Sequence, residues 1–159
     1  MHIYLLRHGI AEPGSPSHHD SERDLTADGR HGVKAVAKLA ARAGVKPDLI
    51  ISSPYQRALA TARIAAEVFG YRDDVDQSRT LTPENSPEAV WEEVRVHRDR
   101  GSVMLVGHEP LFSTLGSYLL GGNVLIEFKK AAILCIEMER LGTHPRGILN
   151  WMITPKLAG

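Results

Sequence analysis

The residues best suited to chemistry are two arginines and two histidines, each placed where an apolar run stops. Arg7 and His8 end the run "IYLL", with Gly9 directly behind them. Arg57 follows "LIISS" by a few positions, and His108 ends "SVMLVGH". A pair of guanidinium groups implies an anion, because the planar fork of donors matches a phosphate bidentately and stays charged at any working pH. A neutral imidazole supplies what arginine lacks, a nucleophilic nitrogen near pH 7. Phosphoryl transfer needs an in-line attacking atom and charge stabilisation on the equatorial oxygens. One histidine can attack while the other, with the arginines, holds the phosphoryl oxygens. Gly9 is expected to let the chain turn and to keep a side chain out of the site.

These residues must be positioned by strands and helices that the sequence also marks. Residues 2–7 read as a strand, and 11–25, "AEPGSPSHHDSERDL", as a long polar loop of the kind that is functional or mobile. Thr26 reads as the N-cap of a helix with Val33, Val36, Ala37 and Ala40 on one face, ended by Gly44 and Pro47. "DLIIS", 48–52, reads as a buried strand. Ser53–Pro54 reads as N-cap and N1 of a second helix, with Ala58, Ala62, Ala65 and Phe69 apolar and Gly70 closing it. Residues 71–82 hold at most a short strand, near Val75 or Thr80–Leu81. Ser86–Pro87 repeats the capping signal ahead of Val90, Trp91 and Val94. "SVMLVGH", 102–108, reads as a central strand, and Pro110 starts a helix to about Leu120. Two β-rich stretches, near 131–138 and 147–153, are joined by "RLGTHPRG" and suggest an antiparallel pair. This alternation predicts a single α/β domain over 1–159, a three-layer α/β/α sandwich. Its sheet is mostly parallel with an antiparallel element. Ligands of such sheets sit at the carboxyl ends of the strands, where the three polar clusters fall.

The bulk properties narrow the class. Nineteen basic residues offset nineteen acidic ones, which argues against a nucleic-acid or membrane-surface partner. Cys135 is the one cysteine and lies in "AAILCIEM", so it reads as an inert buried thiol in a reducing compartment. No signal peptide or membrane span is apparent, and a cytoplasmic protein is expected. The stretch "LLGGNVLIEF", 119–128, reads as core rather than interface. Oligomeric state is not encoded legibly.

The motifs "LLRHG", "SSPYQRALATA" and "VGHEP" together resemble the histidine phosphatase superfamily, of phosphoglycerate-mutase-like fold. The short chain, "ERDLTADG" and the late "NWMITP" resemble its SixA-type phosphohistidine phosphatases. The resemblance implies that His8 is the phosphate-accepting nucleophile, that Arg7 and Arg57 grip the phosphoryl oxygens, and that His108 donates to the phosphoryl group from the other side. It implies a further anion contact from Arg23 and a helix-capping role for Thr26. The implied substrate is a phosphorylated protein of the histidine-containing phosphotransfer type, handled with no cofactor and no metal.

The chain departs from larger members at "TLTPEN", where Pro83 stands in place of the expected general acid and Glu84 follows it. Glu109, beside His108, is the other candidate acid. An imidazole leaves phosphorus readily, whereas an alkyl phosphate needs a positioned proton donor. The missing acid therefore favours phosphohistidine or another activated substrate. The alternatives are a phosphatase of small phosphate monoesters, a non-catalytic phosphate-binding module, and a metallohydrolase using "HHD", 18–20, which lacks the paired spacing of a zinc site.

Overall fold

The computed structural model describes residues 1–159. Strand β1 (His2–Arg7) leads through the long loop and a 3-10 turn at Asp20–Glu22 to helix α1 (Ala27–Arg42). Next come β2 (Leu49–Ser52), α2 (Gln56–Phe69) and β3 (Asp76–Gln77). A 3-10 turn at Arg79–Leu81 precedes α3 (Pro87–Val96), β4 (Ser102–Gly107) and α4 (Leu111–Leu119). The chain ends with β5 (Ile133–Arg140), β6 (Arg146–Ile153) and the single turn α5 (Pro155–Ala158).

The six strands form one sheet in the order β3-β2-β4-β1-β5-β6. β1, β2, β3 and β4 run parallel, while β5 pairs antiparallel with β1 and β6 antiparallel with β5. This is the expected α/β architecture, a mostly parallel sheet with an antiparallel edge. Both faces are covered, which is why the central strands read as continuous apolar runs. Side chains alternate across each strand. Ile3, Leu5, Ile51 and Leu105 pack with Trp91 of α3 and Phe112 of α4. Tyr4, Leu6, Ile50 and Met104 pack with the alanine-rich faces of α1 and α2. Trp91 is wholly buried, and its indole N–H donates to the Gly142 carbonyl at 2.9 Å. No helix is long and apolar enough to cross a membrane.

The predicted caps hold at two helices. Thr26 Oγ1 accepts from the Gly29 N–H, and Ser86 Oγ accepts from the Ala89 N–H with Pro87 at the helix start. Gly44 and Gly70 follow α1 and α2 with positive φ, as a left-handed stop requires. The cap predicted at Ser53 does not form. The Ser53 N–H bonds the Val106 carbonyl and prolongs the strand ladder, so α2 begins only at Gln56, after Tyr55. Between 71 and 82 the only strand is the two-residue β3, with a 3-10 turn where Thr80–Leu81 was a strand candidate. The stretch 119–128 is core only at its ends: Leu119 and Phe128 are buried, whereas Val124 and Leu125 are exposed.

Candidate active site

Parallel pairing sets the ends of β1, β2 and β4 side by side. Arg7 pairs in register with Gly107, and Ser52 with Val106. The next residues, His8, Ser53 and His108, therefore emerge along one edge, and Arg57 comes down on them from the first turn of α2. His8, Arg57 and His108 are 7%, 4% and 1% exposed, an unusual depth for such polar side chains. The two imidazole centroids are 5.1 Å apart. Tyr55 sets its ring edge-on to His108 at 5.0 Å and lies beneath the Arg57 guanidinium at 5.1 Å.

Each ring has one nitrogen spoken for. His8 Nδ1 is 2.7 Å from the Gly9 carbonyl. A carbonyl only accepts, so Nδ1 carries the proton and Nε2 keeps its lone pair. His108 Nε2 is 2.7 Å from Ser53 Oγ. Ser53 Oγ also accepts from the Tyr55 N–H, which leaves its hydrogen free for His108. Burial, then the Arg57, Arg7 and Lys130 charges, lower the His8 pKa to about 4 against the upward pull of the Gly9 bond. Burial, then His8 and Arg57, lower His108 to about 3. Both imidazoles are neutral near pH 7. Burial also pulls Arg7 below its ordinary value, opposed by the charge of Glu109.

The buried side-chain nitrogens and oxygens that lack a protein partner are Arg7 Nε, Arg57 Nε and His108 Nδ1. All belong to this cluster. An orphaned buried polar group costs about 1–3 kcal/mol, so gathering three together is costly unless an oxyanion satisfies them. Three of the other guanidinium nitrogens are already tied down. Arg7 Nη1 donates to the Phe128 carbonyl at 2.6 Å, and Arg57 donates from Nη1 to the Asp20 carbonyl and from Nη2 to Asp20 Oδ2.

Arg23 stands one step out. Its Nε pairs with Asp20 Oδ1 at 2.8 Å and its Nη1 donates to the Glu12 carbonyl, so Asp20 links Arg23 to Arg57. Partial burial acts upward on Asp20, but hydrogen bonds from Arg23 and Arg57 and their charges hold its carboxyl below the usual range. The two candidate acids are engaged in their own turns. Glu109 Oε1 accepts from the Ser113 N–H at the start of α4, and Glu84 Oε1 accepts from Thr82 Oγ1. His18 Nδ1 pairs with Ser17 Oγ, and no group of three or more His, Cys, Asp or Glu side chains is arranged to hold a metal ion.

Gly9 has a different purpose from the one expected. A Cβ there would meet the Gly29 carbonyl and Val33 of α1 at 2.8 Å, so the missing side chain admits the helix rather than clearing the site. Sequence reasoning did not single out Tyr55 or Thr61 as site components. It weighed Asp20 only as part of a metal-binding "HHD", and put Ser53 at the strand end near Arg57 without seeing its bond to His108. Thr61 accepts from the Gly9 N–H and donates to the Arg57 carbonyl one turn back. Its i+4 spacing from Arg57 was a usable signal.

Fold and site thus define an α/β protein whose unpartnered arginine and histidine nitrogens gather at the carboxyl edge of its parallel strands. The chain belongs to the histidine phosphatase superfamily (branch 1), whose family model matches residues 3–82 and whose members are phosphatases. It is 31% identical over 163 aligned positions to an uncharacterised protein of Picosynechococcus sp., covering 98% of both chains. The protein histidine phosphatase SixA, solved with tungstate, superposes with a TM-score of 0.89 at 23% identity over 98% of both chains. A phosphohistidine phosphatase SixA from Agrobacterium tumefaciens, assigned as such provisionally, gives 0.85 at 24% identity over 97% of each. The fold also extends to an alpha-ribazole-5'-P phosphatase assignment in Escherichia coli, TM-score 0.76 at 17% identity over 98% of this chain and 97% of that one.

Proposed function

We propose that this protein is a phosphatase that removes the phosphoryl group from phosphohistidine on a protein partner, through a phosphorylated His8. The observation that carries this reading is the state of His8: buried and uncharged, with Nδ1 anchored on Gly9 and Nε2 free among two arginines. A module that only bound phosphate would gain more from a protonated imidazole.

In this reading Nε2 of His8 attacks phosphorus as the bond to the departing group breaks on the opposite side. Arg7, Arg57 and the His108 Nδ1–H donate to the equatorial oxygens, where charge must be stabilised. Ser53, donating to His108 Nε2, keeps the His108 proton on Nδ1. Water then attacks the phosphorus on His8, releasing phosphate and restoring the free nitrogen. Arg23 acts through Asp20, by positioning Arg57. An imidazole leaving group places little demand on an acid, in keeping with Glu84 and Glu109 being held in their own turns. No metal or cofactor enters these steps, and a lone buried cysteine, with no partner for an internal disulfide, fits a reducing cytoplasm.

The test compares a phosphohistidine-bearing phosphotransfer protein with p-nitrophenyl phosphate, each with and without EDTA. Turnover of the phosphohistidine protein at least about tenfold the faster, and unchanged by chelation, is the expected result, tenfold being about 1.4 kcal/mol of barrier. Rapid ester hydrolysis with the phosphohistidine protein untouched would transfer the assignment to small monoesters.

A further inference from the structure

A cavity of about 490 Å³ opens beside the site, sharing Arg7 with it and lined also by Ile10, Asp28, Lys129, Lys130 and Pro155. Its lysines lie on a turn fixed to the strand that carries His8. The Ala131 N–H bonds both the Arg7 and His8 carbonyls, at 3.1 and 3.0 Å, and the Arg7 N–H bonds the Ala132 carbonyl. Arg7 Nη1 grips the Phe128 carbonyl from the same turn. Ala131 is buried and is the one non-glycine residue with positive φ, at 61°. Such strain in a residue with a side chain persists only where the surroundings enforce it, and it gathers at functional sites. The turn is therefore held in register with the nucleophile.

The cations around the site differ in what already neutralises them. Asp20 pairs with Arg57 and Arg23, and Glu127 pairs with Lys129 at 2.5 Å. Lys130 is exposed and takes part in no ion pair, yet its charge reaches His8. On the cavity wall Arg7, Lys129 and Lys130 outnumber the one carboxylate, Asp28, from the start of α1. A group entering here lies beside a phosphoryl bound at Arg7, and the cation free to meet it selects an anion.

We propose that the Lys130 ammonium binds a carboxylate next to the phosphohistidine of the protein substrate, so that the cavity selects phosphohistidines with an acidic flank. This rests on the phosphohistidine reading above. The contact is made with bound and reacting substrate alike, so it acts on KM more than on kcat. As a solvent-exposed pair it accounts for about two- to fivefold in kcat/KM, shrinking as salt is added.

The test uses two phosphohistidine peptides that differ only in a Glu or a Lys beside the phosphohistidine, and reads their kcat/KM ratio within each variant. A ratio cancels any loss of folding or of nucleophile reactivity common to both peptides. The native protein prefers the Glu peptide, Lys130→Met brings the ratio to about one, and Lys130→Glu reverses it. A ratio that is the same in all three proteins overturns the proposal while leaving the phosphohistidine reading intact. Failure of the native protein on both peptides, with an ester turned over, overturns both.

Discussion

The bond from His8 Nδ1 to the Gly9 carbonyl leaves Nε2 as the imidazole nitrogen with a free lone pair, and burial favours the uncharged ring. In the unfolded chain this histidine titrates near 6.5, and in the folded one near 4. The sign follows from proton counting. Between those values the unfolded chain holds the extra proton, so stability falls as pH drops from 6.5 and levels off below about 4. The free Nε2 is kept throughout that window. Proton NMR of the ligand-free protein should show His8 and His108 titrating far below the ordinary histidine value, with midpoints near 4 and 3. A His8 midpoint near 6.5 would mean that the site does not desolvate this imidazole. The four residues themselves were legible from their types and places at apolar run ends. Their hydrogen-bond partners were not, because Asp20 and Ser53 are unremarkable polar residues until folding sets them against Arg57 and His108.

At the level of elements, the tightest constraint is the contact between the loop after β1 and the first turn of α1. A Cβ on Gly29 would lie 2.1 Å from the Ile10 carbonyl oxygen, a backbone atom that cannot swing aside. Helix propensity alone favours alanine over glycine by about 1 kcal/mol at such a position, so the two effects oppose each other in sign. The clash should win. Gly29→Ala is expected to lose about 1–3 kcal/mol of stability in urea titration, as overpacking typically does. Gly14→Ala, where the nearest atom is 3.9 Å away, should change little. A stabilised Gly29→Ala would show that the loop does not rest on α1 as described. Helices and strands were legible wherever capping and periodicity agreed, as at Thr26 and Ser86. Ser53 misled because Ser–Pro is an equally good ending for a strand when a neighbouring strand supplies the ladder bond, here from Val106. The turn at 128–132 carries no glycine to announce its positive φ, so the sequence hid the element that fixes Lys130.

Across the whole molecule, the parallel strand order turns three distant segments into one cluster. β4 lies between β1 and β2, so His108 arrives between His8 and Ser53 although roughly 50 residues or more separate it from each. That convergence was predictable once alternating strands and helices implied a parallel sheet, because all the βα loops of such a sheet that begin at strand carboxyl ends open on the same edge. The antiparallel β5 and β6 were visible as a pair, but their neighbour was not. Only pairing with β1 brings the 128–132 turn against Arg7 and His8. The central claim is that this convergence makes His8 a phosphoryl acceptor, and covalent trapping tests it most directly. The protein is mixed with phosphoramidate, quenched in alkali within milliseconds to seconds, and the phosphate is located by mass spectrometry. The account predicts phosphate on His8, stable in base and lost in acid, and absent from His8→Ala. No covalent phosphate at any quench time, with substrate still being consumed, would contradict it.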